Sequence, residues 1–322
     1  MSPQCPAPTY DTLVLSGGGP EGIAFIGCVS SLESAGALRR LRTVVGCSAG
    51  AIVALFVALG MTAEEMRAWM LQGVSDRSLV EVDIEGVLSI ADRLGVDDGE
   101  RVVEALRGAV RSKMKGAEDA TFVELAKATG RGLVVCVSNL EDARQELLSV
   151  DTAPDLSVLT AVRMSISVPI LFTPVRYRGR TYVDGAVFEH CPTSHIAASG
   201  AATSTLALRI INAVDPPGPP PQQDGDDVGG IGGIASYAWL LARALMVRIV
   251  DSPPPIPKLP QTQLTVVDIT SLDPPACRFS LSSLSLCIDE DGIDRYVRHG
   301  ASFWPPPCPQ TPETPDVPAA EL

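Results

Sequence analysis

Gly46-Cys47-Ser48-Ala49-Gly50 is the stretch that decides how this chain is read. It follows the run 41–45, which ends in Val44-Val45, and precedes the apolar run 51–60, so a serine sits between a strand-like and a helix-like segment. Glycines two positions either side of Ser48 suit a turn too tight for side chains, the arrangement of a nucleophile elbow. The serine hydroxyl is then presented at the start of a helix, whose unpaired N–H groups and dipole favour nearby negative charge. A lone match of this kind has little specificity, so its neighbours decide what it means.

Upstream, residues 12–16 read as a short buried strand that runs into Gly17-Gly18-Gly19-Pro20-Glu21-Gly22 and then an apolar helix start. Consecutive glycines between strand and helix leave backbone N–H groups bare, as an oxyanion hole requires. Pro20 has no N–H, so Gly18 and Gly19 are the expected donors. The same six residues satisfy the dinucleotide fingerprint G-x-G-x-x-G. That reading needs an acidic residue closing a second strand about 20 residues on. Here the second strand ends at Ser48 instead, which disfavours a nucleotide site.

Downstream, residues 176–183 read as a hairpin turning at Gly179 that delivers Asp184-Gly185-Ala186 at a strand end. An Asp-Gly pair by itself is an ordinary turn signal. Beside a glycine loop and a serine elbow, Asp184 reads better as a catalytic base.

The three motifs together resemble the patatin-like phospholipases, a family of serine acyl hydrolases. Connecting segments agree as well: Thr121-Phe122-Val123-Glu124-Leu125, then Asn139-Leu140-Glu141, then Ala161-Val162-Arg163-Met164-Ser165 with Val168-Pro169. The resemblance covers residues 10–210 well and continues weakly to 304. It implies a Ser48–Asp184 dyad, an oxyanion loop containing Gly17, Gly18, Gly19 and Gly22, elbow glycines Gly46 and Gly50, and a motif completed by Gly185 and Ala186. It implies no metal and no cofactor. Two positions depart from the family: Glu21 stands where Arg or Lys is usual, and His190 where Asn is usual six residues beyond the catalytic Asp. His190 reads as structural or orienting rather than as a proton carrier. His195 and His299 lack a partner pattern for a Ser-His-Asp triad.

The chain has 322 residues, 46% of them hydrophobic and 20% charged, and a formal net charge of −13. That balance fits one globular enzyme domain and speaks against nucleic acid as a partner. The first residues have neither a basic end nor an apolar core of a signal peptide, and the longest apolar run, 49–61, is too short to span a bilayer. The expected location is intracellular, soluble and cytoplasmic, with peripheral contact at membranes. Eight cysteines are scattered without a metal-binding spacing, and Cys28, Cys47 and Cys136 read as buried hydrophobes.

Alternating strand and helix patterns predict an α/β fold, a three-layer α/β/α sandwich with a mainly parallel central sheet. The acyl hydrolase domain is expected over 10–304, with a Pro/Gly-rich excursion at 216–233 and a proline-rich tail at 305–322. Residues 237–250, with Tyr237, Trp239, Arg243 and Arg248 on an apolar stretch, fit either a core helix or an interfacial one. The expected function is a lipid acyl hydrolase of phospholipase A type, acting on a lipid or phospholipid ester through an acyl-serine. The competing readings are a soluble carboxylesterase or lysophospholipase with the same dyad, and a non-catalytic lipid-binding scaffold.

Overall fold

The computed structural model describes residues 8–75, 90–194, 204–211, 264–270, 272, 278–280 and 285–304. The expected excursion at 216–233, the tail at 305–322, the segment 237–250 and His195 lie outside the described residues.

Its centre is an eight-stranded sheet among the described residues. Five strands run parallel, in the order β10 (Leu264–Thr270), β9 (Thr205–Ile211), β1 (Thr12–Leu15), β2 (Thr43–Cys47) and β4 (Gly132–Asn139). The antiparallel hairpin of β7 (Val175–Tyr177) and β8 (Arg180–Asp184) continues the sheet beyond β4, and β5 (Arg144–Ser149) also pairs with β4. Arg178 at φ 49° and Gly179 at φ 75° make the hairpin turn, both in the left-handed region that matches the twist of the flanking strands. Two short strands, β3 (Gly95–Asp97) and β6 (Ile170–Phe172), pair beside this sheet, and β11 (Arg278–Ser280) pairs with β12 (Ser285–Cys287).

Side chains alternate across the strands, and both faces are buried. Leu13, Leu15, Val44, Leu133, Val135 and Leu208 belong to the main core, whereas Val14, Val45, Val134 and Ala207 pack on the other face. A parallel sheet with two buried faces explains why β1 and β2 read as continuous apolar runs rather than as alternating ones. Helix α2 (Ala49–Ala58), directly after the elbow, is buried almost all round, from Ala51 through Phe56 to Ala58. Full burial of side chains such as Phe56 and Leu55 contributes about 1.5–3 kcal/mol each.

The first connection is built in two parts. Residues Gly19–Ile23 form a 3-10 turn with Pro20 near its start, and α1 (Ala24–Ser34) begins only after it. The following helices are α3 (Ala63–Ser75), α4 (Glu100–Lys113), α5 (Phe122–Thr129), α6 (Val158–Ser165) and α7 (Glu290–Ala301). Helix α5 opens with the reciprocal Thr121–Glu124 capping box and stops at Gly130 in the left-handed region. Helix α7 lies directly on α1. A side chain at Gly27 or Gly300 would collide with the facing backbone, and Cys28 Sγ donates to Gly300 O at 3.2 Å across this contact. No helix among the described residues is long and apolar enough to cross a membrane.

Candidate active site

The site lies where β1, β2 and β4 end, at the carboxyl edge of the parallel sheet, the usual ligand side of such folds. Ser48 sits between β2 and α2 with φ 52° and ψ −126°, a conformation that L-residues adopt only under constraint. The constraint is crowding. A Cβ on Gly46 would lie 2.6 Å from Ala51 Cα, and one on Gly50 would lie 2.6 Å from the Leu15 carbonyl oxygen. Both positions therefore admit only glycine, because strand, turn and helix pass within backbone contact of each other.

Two further hydrogen bonds hold the turn. The Ser48 N–H donates to Ser165 Oγ at 2.9 Å, and Ser165 Oγ–H donates to the Cys136 carbonyl at 2.6 Å. Ser165 thus links the elbow to β4 from the C-terminus of α6. Ser48 Oγ–H donates to Asp184 Oδ2 at 2.6 Å. Asp184 Oδ1 accepts from Ala186 N–H at 2.8 Å, and Asp184 N–H donates to the Ser167 carbonyl at 2.9 Å. Gly185 permits that turn, since a Cβ there would lie 2.7 Å from Cys136 backbone carbon.

Asp184 is fully buried. Burial pushes its carboxyl up from the ordinary 3.8 to about 7, while the hydrogen bonds from Ser48 and Ala186 pull it back down. The result is a carboxyl that exchanges a proton near neutrality, as a general base must. The neighbouring Cys47 is fully buried and its Sγ–H donates to the Glu189 carbonyl at 3.4 Å. Burial raises its thiol well above the ordinary value, so it stays protonated and does not compete as a nucleophile.

The glycine loop packs against the elbow: a Cβ on Gly22 would lie 2.7 Å from Ala49 Cβ. Gly18 at φ 158° and Gly19 at φ 53° shape the loop. Gly17 N–H is occupied by the His190 carbonyl at 2.9 Å, so Gly17 frames the loop and does not serve as a donor. Among the described residues, no protein acceptor takes the N–H of Gly18, Gly19 or Ala49. Ser48 itself is buried, and free backbone donors on the turn and on the loop packed against it can hold an oxyanion. Ala49 is not among the expected donors, although the residue after the nucleophile in an elbow commonly supplies one.

Arg163, 7% exposed, braces the segment behind the carboxyl. Its guanidinium donates to the carbonyls of Asp98 and Thr173 and to Ser167 Oγ, and lies 5.3 Å from the centre of the Phe172 ring. Ser165, Ser167 and Arg163 fall in the stretch that resembles the family, yet nothing in their spacing predicts that Ser165 meets Ser48, Ser167 meets Asp184, and Arg163 holds Ser167 from one turn of helix away.

Residues 13–197 match the model of the patatin-like phospholipase family, more than half of the chain. The chain belongs to the patatin-like phospholipase family. A probable lipid hydrolase, 463L, of Invertebrate iridescent virus 6 is 28% identical over 185 residues, which is 57% of this chain and 62% of the viral protein. The uncharacterized protein YqhO of Bacillus subtilis is 33% identical over 196 residues, 56% of this chain and 64% of YqhO. The chain thus spans less than two thirds of the length of these curated relatives. Among solved structures, VipD from Legionella pneumophila has 18% identity and a TM-score of 0.49, with 92% of this chain and 66% of VipD covered. Human GIVD cytosolic phospholipase A2 bound to a fluorophosphonate has 11% identity and a TM-score of 0.45, with 91% of this chain and 56% of the human chain covered.

Proposed function

We propose that this patatin-like protein is a lipid acyl hydrolase of phospholipase A type, working through Ser48 and Asp184. The observation that carries the reading is the 2.6 Å hydrogen bond from Ser48 Oγ to a fully buried Asp184, at the mouth of an elbow flanked by unused backbone donors. Asp184 in its ionised form takes the Ser48 proton as Oγ attacks the ester carbonyl. The N–H groups of Gly18, Gly19 and Ala49 hold the oxyanion. As the tetrahedral intermediate collapses, the ester C–O bond breaks and Asp184 returns the proton to the leaving alcohol. Water then gives a proton to the same carboxylate as it attacks the acyl-serine carbonyl; the acyl C–Oγ bond breaks, Asp184 returns the proton to Ser48 Oγ, and the fatty acid leaves.

Family membership supports a lipid ester as the substrate class. A net charge of −13 favours zwitterionic or neutral surfaces over anionic ones. The test is labelling with a lipid-like fluorophosphonate together with hydrolysis of dispersed phosphatidylcholine. The wild-type chain is expected to be labelled at Ser48 and to release fatty acid, and Ser48→Ala to do neither. A folded Ser48→Ala protein that still releases fatty acid would refute the proposal.

A further inference from the structure

Four hydrogen bonds close a ring beneath the glycine loop. Gly17 N–H donates to His190 O at 2.9 Å, and His190 Nε2 lies 3.2 Å from Ile210 O. Ile210 N–H donates to Ser16 Oγ at 2.9 Å, and Ser16 Oγ–H donates to Gly17 O at 2.7 Å. A carbonyl oxygen only accepts, so Nε2 must carry the imidazole proton. Nδ1 is left as a bare acceptor. It is buried and has no hydrogen-bond partner among the described residues.

An unsatisfied buried acceptor is disfavoured, and an apolar side chain of similar size would avoid that cost. What the imidazole supplies instead is a rigid span. One nitrogen reaches β9, and Nδ1 rests under the loop, 2.9 Å from where a Cβ on Gly17 would stand. The Ile210 side chain fills the space beneath Gly18 in the same way, with Cγ1 3.3 Å from a Cβ built there. Burial lowers the His190 imidazole to about 4, so the ring is neutral wherever Asp184 works.

We propose that His190 is a positioning residue whose neutral imidazole ties Ile210 to the glycine loop and sets the Gly18 and Gly19 N–H groups against Ser48. The inference rests on the dyad reading above. His190 and Asp184 stand six residues apart, joined by the short 3-10 turn Gly185–Val187. One brief segment therefore carries both the base and the strut that aligns the oxyanion donors. The glycine loop in turn contacts the elbow through Gly22 and Ala49, so a shift of the strut is felt at the donors.

The test compares His190→Ala, His190→Phe, His190→Gln and Ser48→Ala on p-nitrophenyl butyrate, with thermal unfolding measured for each. Donors misaligned towards the oxyanion cost rate and not ground-state binding. His190→Ala and His190→Phe should therefore lower kcat about 10- to 100-fold with KM within about twofold. His190→Gln, whose amide N–H can reach the Ile210 carbonyl, should recover most of kcat. His190→Phe keeps the ring volume and carries the test if the alanine variant unfolds. A folded His190→Phe with wild-type kcat beside an inactive Ser48→Ala would overturn the inference alone. So would a loss that falls on KM only, or a glutamine variant no better than phenylalanine. Turnover retained in Ser48→Ala would instead overturn the dyad reading on which the inference rests.

Discussion

Asp184→Asn tests the energetics of the buried carboxyl and its chemistry in one variant. Burial raises Asp184 from 3.8 to about 7. That shift of about three units means that ionising it inside the fold costs about 4 kcal/mol more than in the unfolded chain. Between pH 4 and 7 the folded state keeps a proton that the unfolded state has released. Stability from this group is thus fully present below about pH 4 and is lost as pH rises through about 7. His190 works in the opposite direction over an overlapping window. Its folded value of about 4 lies below the ordinary 6.5, so its contribution is present above 6.5 and lost as pH falls through 4. The wild-type profile therefore mixes two opposed slopes, and the difference between the variant and wild type isolates Asp184. Urea unfolding at pH 4.5, 6, 7.5 and 8.5 should show Asp184→Asn gaining on wild type as pH rises. The gain should level off above about pH 7 at no more than about 4 kcal/mol, reduced by any weakening of the contacts to Ser48 and Ala186. In the wild type, kcat/KM for a soluble ester should climb about tenfold per pH unit below 7 and flatten above it, because only the carboxylate accepts the Ser48 proton. The variant should lose at least about 10²-fold in turnover. A stability gap that stays constant with pH would refute burial as the dominant influence on Asp184. A flat activity profile from pH 5 to 8 would refute its role as base.

Ser165→Ala should leave the Ser48 N–H without its acceptor and the Cys136 carbonyl without its donor, at a cost of about 1–3 kcal/mol by chemical denaturation. Its kcat on a soluble ester should fall with KM little changed, because the elbow loses its tie to β4; a variant as stable as wild type would show that water or a shifted neighbour replaces the tie. Activity on a dispersed, monomeric ester should be unchanged by excess EDTA, since the proposed oxyanion donors are backbone N–H groups; loss of turnover restored by added calcium would contradict that arrangement.

The start of the parallel core was readable from the chain because β1 and β2 are short, largely apolar runs, each followed by a glycine-marked turn and a helical segment. The elbow was readable for a related reason: Gly46 and Gly50 mark places where backbone meets backbone, and such crowding leaves a trace in residue type. Elements off the central path were less plain. Helix α4 has apolar residues at helical spacing, Val102, Leu106, Ala109 and Val110, but a strongly polar remainder, so its apolar stripe is narrow. The pairing of β3 with β6 joins residues more than seventy positions apart, and three-residue strands carry almost no periodicity of their own. The 3-10 turn before α1 follows from Pro20 and from Gly18 and Gly19, whose φ values delay a regular helix.

Taken alone, the order of residues determined the fold class, the family resemblance, and the identity of Ser48 and Asp184 as the residues to examine. Those are local matters, written in spacing, apolar period and glycine placement. It also limited His190 to a structural or orienting part, without indicating what it orients. The tertiary structure decided the contacts that cross the sheet: Ser165 on the Ser48 N–H, Ser167 on Asp184, and Ile210 on His190. It also decided that Asp184 is buried enough to hold its proton near neutrality. These depend on which strand lies beside which, and strand order is set by packing of the whole core rather than by any one segment.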